Sequence, residues 1–155
     1  MRTSDRPRPL GLYGLLFLLA FLGLGGIFGG FHLVTDPTGS SLQLPLSWLS
    51  ETPFPDYRIP GLVLLLFLGI VPLLLAAALW TQPDWPWVGR LNLFPDRHWT
   101  WTYALYTGII LILWIDFQIF WVGYGTVLQT VYALYGVGIV IVTLFPGVQR
   151  YFARP

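Results

Sequence analysis

The sequence predicts an all-α integral membrane protein whose four transmembrane helices form a bundle. The chain of 155 residues is 55% hydrophobic and 10% charged, whereas soluble domains carry about 25% charged residues. Its mean hydropathy is +0.68. Apolar runs approach the roughly 20 residues that a helix needs to cross a bilayer core, and proline- and glycine-rich segments separate them. We therefore expect residues 1–155 to form a single membrane domain.

The predicted transmembrane helices cover about residues 10–34, 59–80, 99–123 and 126–145. The apolar run of a signal peptide is about 7 to 15 residues long. Because the first run is longer and lacks a small-residue cleavage site, we expect it to be an uncleaved helix. Pro72 has no N–H group and predicts a kink in the second helix.

The arginines predict the orientation of the helices. Positively charged residues are retained in the cytoplasm, and with four spans seven of the eight arginines fall on one side, with only Arg58 on the other. The seven are Arg2, Arg6, Arg8, Arg90, Arg97, Arg150 and Arg154. Both termini are therefore expected in the cytoplasm.

The loop between the first two helices is too apolar to be a free linker. Its large apolar side chains, among them Trp48 and Phe54, would not all face water. We interpret residues 45–50 either as a short helix lying in the membrane interface or as part of a loop folded over the helix ends. Either arrangement would cap the bundle on that side.

Small residues predict where the helices pack, because close backbone approach drives association in lipid. The first helix has two overlapping glycine pairs, Gly25 with Gly29 and Gly26 with Gly30. The fourth presents Gln129, Tyr132 and Gly136 on one face. The short turn before the fourth helix predicts that it packs antiparallel to the third.

Asp116 is the one acidic residue inside a predicted span. An aspartate near the centre of a transmembrane helix costs about 2.5 to 3.5 kcal/mol, so it should face protein or a water-filled cavity. No cation is evident at its depth. We therefore expect a neutral Asp116 that donates a hydrogen bond to a tyrosine hydroxyl or a backbone carbonyl, with Tyr132 as the best-placed partner. Gln118 lies about 200° further round the helix and faces away from Asp116.

Several kinds of site are not expected. The net charge is +1, with no basic face for nucleic acid, and the absence of cysteine removes thiol chemistry. His32 and His98 fall on opposite sides of the membrane, so they cannot share a metal or haem. We expect no metal and no cofactor.

The segments HLVTDPTG (32–39), PFPDYRIPG (53–61) and LNLFPDRHWTW (91–101) resemble loop signatures of small, uncharacterised bacterial four-span membrane proteins. The similarity covers most of the chain. It implies a multi-pass protein of the bacterial cytoplasmic membrane. It implies no activity, cofactor or site residue, because such families have none established.

Three hypotheses for function remain. The favoured one is a non-catalytic membrane protein that contacts lipid and other membrane protein subunits, as an accessory, stabilising or assembly subunit of a larger complex. The alternative is a small transporter or channel with Asp116 as an intramembrane proton or cation site, which needs an aqueous cavity reaching that residue. A lipid-modifying enzyme ranks third, because no second reactive group is evident beside Asp116.

Overall fold

The computed structural model describes residues 7–154, and this part of the chain is helical without β-strands. Its α-helices are α1 (Leu10–Thr35), α2 (Arg58–Thr81), α3 (Trp99–Val122), α4 (Val127–Thr143) and α5 (Pro146–Tyr151). Helices α1, α2 and α3 are long and apolar enough to cross a membrane, and α4 is a shorter apolar helix of 17 residues. Arg2 and Arg6, on which the predicted orientation partly rests, lie outside the described residues.

Helix α4 ends two residues before the predicted position because of Pro146. A proline disfavours helical dihedrals in the residue before it, and Phe145 is extended, with φ −57° and ψ 133°. Proline is well suited to the first turn of a helix. Pro146 therefore ends α4 and also starts α5, a short helix that the sequence analysis did not anticipate.

Helix α2 contains a π-helical segment, Leu64–Ile70. The N–H group of Val71 donates to the carbonyl of Leu66, five residues earlier, which is the π pattern. Because Pro72 supplies no N–H group, the α-helical ladder is interrupted at this point. The break predicted at Pro72 takes the form of a π segment on its N-terminal side.

Helices α1 and α2 approach each other closely through glycines. A Cβ atom at Gly26 would collide with the carbonyl oxygen of Leu68, and one at Gly30 would lie 2.5 Å from the backbone nitrogen of Leu65. On the other helix, a Cβ atom at Gly69 would lie 2.9 Å from the nitrogen of Ile27. Larger residues at these positions would push the two backbones apart.

Helices α3 and α4 pack against each other as an antiparallel hairpin, so the adjacency predicted from their short turn is confirmed. The closest approach is reciprocal. A Cβ atom at Gly108 would lie 3.0 Å from the carbonyl oxygen of Gly136, and a Cβ atom at Gly136 would lie 2.9 Å from that of Gly108. Helix α1 packs on both α2 and α4.

The helix ends form two regions that we name after tryptophans. The Trp48 end is where α1 and α3 end and α2 and α4 begin, and it is covered by residues 36–57, here called the cap segment. This segment contains two short 3₁₀ helices, Ser40–Leu42 and Leu46–Leu49. Its buried Leu49 and Tyr57 pack with Leu33 of α1, so the segment is folded over the helix ends.

Hydrogen bonds hold the cap segment in shape. One carboxylate oxygen of Asp36 accepts from the hydroxyl of Thr38 at 2.6 Å, and the other accepts from the N–H group of Ser41 at 2.8 Å. The Thr38 hydroxyl lowers the pKa of Asp36. The hydroxyl of Tyr57 donates to the carbonyl of Pro45 at 2.8 Å. The segment is therefore tied together at both its start and its end.

The opposite region, the Trp99 end, is joined by hydrogen bonds between residues far apart in the chain. The indole N–H of Trp101 donates to the carbonyl of Thr143, and that of Trp99 to the carbonyl of Pro83, each at 2.8 Å. Two further bonds of 2.8 Å run from Arg97 to Gln149 and from His98 to Phe152. The C-terminal residues are thereby fixed to the start of α3.

Candidate functional site

A cavity of about 480 Å³ lies at the Trp48 end, between the cap segment and helices α1 to α4. Ligand-binding pockets are typically about 300 to 1,000 Å³. The cavity wall is predominantly apolar, and none of the charged side chains that the structure describes contributes to it. The cavity therefore has the size and polarity of a site for a neutral, apolar molecule.

The cavity exists partly because α1 has no side chains at Gly25 and Gly29. Adjacent helical positions point about 100° apart, so Gly26 and Gly30 meet the backbone of α2, whereas Gly25 meets no atom of α2 and faces the cavity. Gly29 borders the cavity and also lies beside Leu64 of α2. A Cβ atom at Gly25 would meet only the hydroxyl of Tyr132, at 3.6 Å, an ordinary van der Waals contact. The two overlapping glycine pairs thus have different roles.

Gln118 of α3 and Tyr132 of α4 are polar residues of the cavity wall whose side chains are only half buried. Neither side chain has a hydrogen-bond partner among residues 7–154. The crossing at Gly108 and Gly136 places the two residues about 9 Å apart along the helix axes, at 1.5 Å per residue. An amide and a hydroxyl can each donate and accept, so the wall offers unused hydrogen bonds of both kinds.

Gln129 also lines the cavity, but its side chain is already bonded. Its amide oxygen accepts from the N–H group of Gly125 at 2.9 Å, and its amide nitrogen donates to the carbonyl of Gly123 at 3.2 Å. Together with Thr126 it forms a capping box at the start of α4. Gln129 therefore holds the turn between α3 and α4.

Trp114 also lines the cavity. Its indole nitrogen is buried and has no acceptor among the residues that the structure describes. A buried donor without a partner carries a desolvation cost of about 1 to 3 kcal/mol. At the Trp99 end, both polar atoms of the Gln82 side chain and the Nε2 atom of His98 are also buried without a hydrogen-bond partner among the described residues.

Asp116 lies outside the cavity, on the exposed face of α3. The predicted hydrogen bond to Tyr132 is not present, and this expectation was wrong. The packing face of α3 is set by Gly108, Leu111 and Ile115, which are buried. Asp116 is the position after Ile115, about 100° further round the helix, so it lies at the edge of the packing face, where its side chain is exposed.

The histidines lie at opposite ends of the helices. His32, near the end of α1, has its Nδ1 atom 2.9 Å from the carbonyl oxygen of Phe28. His98 precedes α3, and its Nδ1 atom accepts from the N–H group of Thr100. Between residues 7 and 154 there is no group of three histidine, cysteine or acidic residues suited to a metal ion.

His98 is only 3% exposed, which matters for its charge. Burial, aided by the positive charge of Arg154 and opposed by Asp84, lowers the pKa of His98 to about 4. At neutral pH its ring is therefore uncharged, and the 3.9 Å approach of Nε2 to the carboxylate of Asp84 is not an ion pair. Asp84 pairs with Arg154 instead, at 3.1 Å.

These features define an all-helical protein whose longer helices are suited to crossing a membrane and which holds a neutral cavity at one end. No protein-family model, curated protein or solved structure matches the chain. The resemblance of its loops to small bacterial four-span proteins thus stays a prediction, and function is argued from the site itself.

Proposed function

We propose that this protein is a non-catalytic subunit that assembles with another membrane protein through the face of α3 that carries Asp116. The observation that carries the proposal is the exposure of Asp116 within a helix suited to crossing a membrane. It lies six residues before Val122, about 9 Å from the end of α3. Facing lipid there would cost about 2.5 to 3.5 kcal/mol, a cost that a partner removes.

Asp116 belongs to an exposed strip along α3, here called the Asp116 strip. Its members, spaced four, three and four residues apart, are Ile109, Leu113, Asp116 and Phe120. Such spacing places side chains on one side of a helix. Leu113 is 60% and Phe120 80% exposed. The strip thus offers a partner helix apolar contacts on both sides of a single carboxyl group.

The partner that fits best is a transmembrane helix of a different protein with an arginine, lysine, histidine or other hydrogen-bonding residue at the depth of Asp116. Charge complementarity favours it, because none of the arginines of this chain lies within the predicted spans. In a symmetric dimer formed through the strip, two copies of Asp116 would face each other. A second copy therefore offers Asp116 no opposite charge.

The proposal includes four membrane spans with both termini in the cytoplasm of a bacterium. Arginine at the Trp99 end supports this orientation. Arg8 stacks on Trp80 at 3.7 Å and Arg97 on Trp101 at 4.8 Å. The alternative role as a transporter or channel lacks similar support, because Asp116 does not contribute to the cavity wall.

The test is purification of the tagged full-length protein from its native membranes in a mild detergent. We expect a stoichiometric partner whose own transmembrane helix has a cationic or hydrogen-bonding residue. Asp116→Leu and Leu113→Trp should release it. The matched variant Leu134→Trp, at a 64% exposed position of α4, should retain it. Substituting the cationic or hydrogen-bonding residue of the partner's own helix should also release the partner from this protein.

A separate experiment tests whether two copies of this protein pair through the Asp116 strip. Because the chain has no cysteine, Leu113→Cys introduces a unique thiol on the Asp116 strip. Efficient disulfide formation between two copies of this variant in native membranes would show that the strip forms a homodimer and would overturn the proposal. Retention of the partner by Asp116→Leu would overturn it equally.

A further inference from the structure

We propose that the cavity at the Trp48 end binds a neutral, membrane-soluble molecule whose planar ring carries carbonyl or hydroxyl oxygens, the chemistry of a prenylquinone. This inference goes beyond the proposed subunit role. It uses the interior of the helices, whereas assembly uses the Asp116 strip on the outside of α3.

Neutrality of the ligand follows from the cavity wall. Among residues 7–154 no charged side chain contributes to it, and burying an unpaired charge there would carry a large desolvation cost. The charged headgroup of a phospholipid would have no counter-charge inside the cavity. The occupant must therefore keep an uncharged part within the cavity.

The unused hydrogen-bonding groups indicate that the ligand carries oxygen. Gln118 and Tyr132 border the cavity and have no partner among residues 7–154. Leaving polar groups unpaired in apolar surroundings is unfavourable. A carbonyl oxygen accepts from either side chain, and a ring hydroxyl both donates and accepts. Gln118 and Tyr132 lie below the cap segment, so hydrogen bonds to them would form inside the apolar region. The ring of the ligand can lie there.

Aromatic side chains indicate a planar ligand. Eight of the side chains in the wall are aromatic, among them Trp48, Trp114 and Trp121. Aromatic rings favour stacked or edge-on contacts with other flat rings. A volume of about 480 Å³ is large enough for a ring with part of its side chain. The cap segment covers the cavity on one side.

The experiment titrates ubiquinone-2, a short prenylquinone, into the full-length protein in nanodiscs of dioleoylphosphatidylcholine. Quenching of tryptophan emission reports binding, because three tryptophans line the cavity. We expect saturable quenching at one quinone per chain. Linear quenching without saturation, as quinone simply partitions into the lipid, would overturn the proposal.

Two glycine variants form a matched pair. Gly25→Leu fills the cavity, since a Cβ atom there meets only the Tyr132 hydroxyl at 3.6 Å, and it should weaken binding at least about tenfold. Gly138→Leu adds the same side chain to α4, where a Cβ atom meets nothing within 4 Å. It should bind as the wild type does. Equal affinity of the two variants would contradict the cavity as the site.

Two polar variants test the hydrogen bonds even if Gly25→Leu fails to fold. Neither side chain has a hydrogen-bond partner to lose among residues 7–154, so Gln118→Leu and Tyr132→Phe should remain folded. Each should weaken binding about two- to tenfold, the loss of one hydrogen bond. Wild-type affinity in both would overturn the assigned contacts. A phospholipid that stays bound in native mass spectrometry at saturating ubiquinone-2 would overturn the ligand class.

Discussion

The Trp99 end and the Trp48 end of the helices differ in how their segments are joined. At the Trp99 end, hydrogen bonds from Trp99 and Trp101 reach carbonyl groups of other segments. At the Trp48 end, Gln118 and Tyr132 border a cavity and have no hydrogen-bond partner among residues 7–154. Departures from full packing tend to occur at functional sites. The comparison assigns stability to the first region and binding to the second.

The largest expected difference concerns two phenylalanines. Phe152 is fully buried at the Trp99 end, whereas Phe54 is half buried and borders the cavity. Phe152→Ala should lower the free energy of unfolding by about 3 to 5 kcal/mol. Phe54→Ala should lower it by less than about 2 kcal/mol, because fewer contacts are lost. Unfolding of both variants in one detergent measures this, and equal losses would remove the distinction between the two ends.

An intermediate effect is expected on acidification, through His98. Its pKa is lowered to about 4 in the folded protein by burial and, secondarily, by Arg154, while the unfolded value is about 6.5. The unfolded state therefore takes up a proton first as the pH falls. Stability is complete above pH about 6.5 and decreases towards pH about 4, by at most about 3 kcal/mol.

The control for this pH dependence is His98→Asn. Asparagine can still cap the start of α3, but it does not titrate. Thermal unfolding followed from pH 7 to pH 4 should show a smaller decrease for the variant than for the wild type. Identical pH profiles would mean that the buried imidazole does not contribute.

The smallest expected effect compares two tryptophans. Trp101→Phe removes an indole N–H group that donates to Thr143 and should cost about 1 to 3 kcal/mol beyond the change in size. Trp114→Phe removes a buried N–H group without an acceptor among the described residues, so the change should be close to neutral. Stability measured for both variants in the same detergent checks this. A larger loss for Trp114→Phe would reveal a hydrogen bond formed in the membrane.

The sequence was sufficient to locate the helices along the chain, because a long apolar run has few alternatives in lipid. Their rotation was harder to predict. Gly25 and Gly26 look equivalent in sequence, yet a Cβ atom would collide with the backbone of α2 only at Gly26. The rotation of a helix about its axis depends on which neighbour it contacts. Gly61 and Gly69 of α2 mark the face that contacts α1, but the sequence analysis did not use them.

The difficulty of predicting helix rotation also explains why the surroundings of Asp116 were predicted incorrectly. The sequence analysis correctly placed Gln118 and Asp116 on different sides of α3. It assigned Asp116 to the interior because the cost of exposure is high, without allowing for a partner outside the chain. Gly108 was not recognised, although its contact with Gly136 sets the packing face of α3. The cavity itself has no local sequence signal, since five segments contribute to its wall.

The unequal lengths of α1 and α4 have a consequence for the surrounding bilayer. At 1.5 Å per residue, the 26 residues of α1 extend about 39 Å and the 17 of α4 about 26 Å. A hydrocarbon core is about 30 Å thick, so one helix exceeds it and the other falls short. If both helices cross the membrane as proposed, tilting of α1 and local thinning of lipid beside α4 would relieve this mismatch at a modest cost. Membrane thickness would then be a factor in where this protein is most stable.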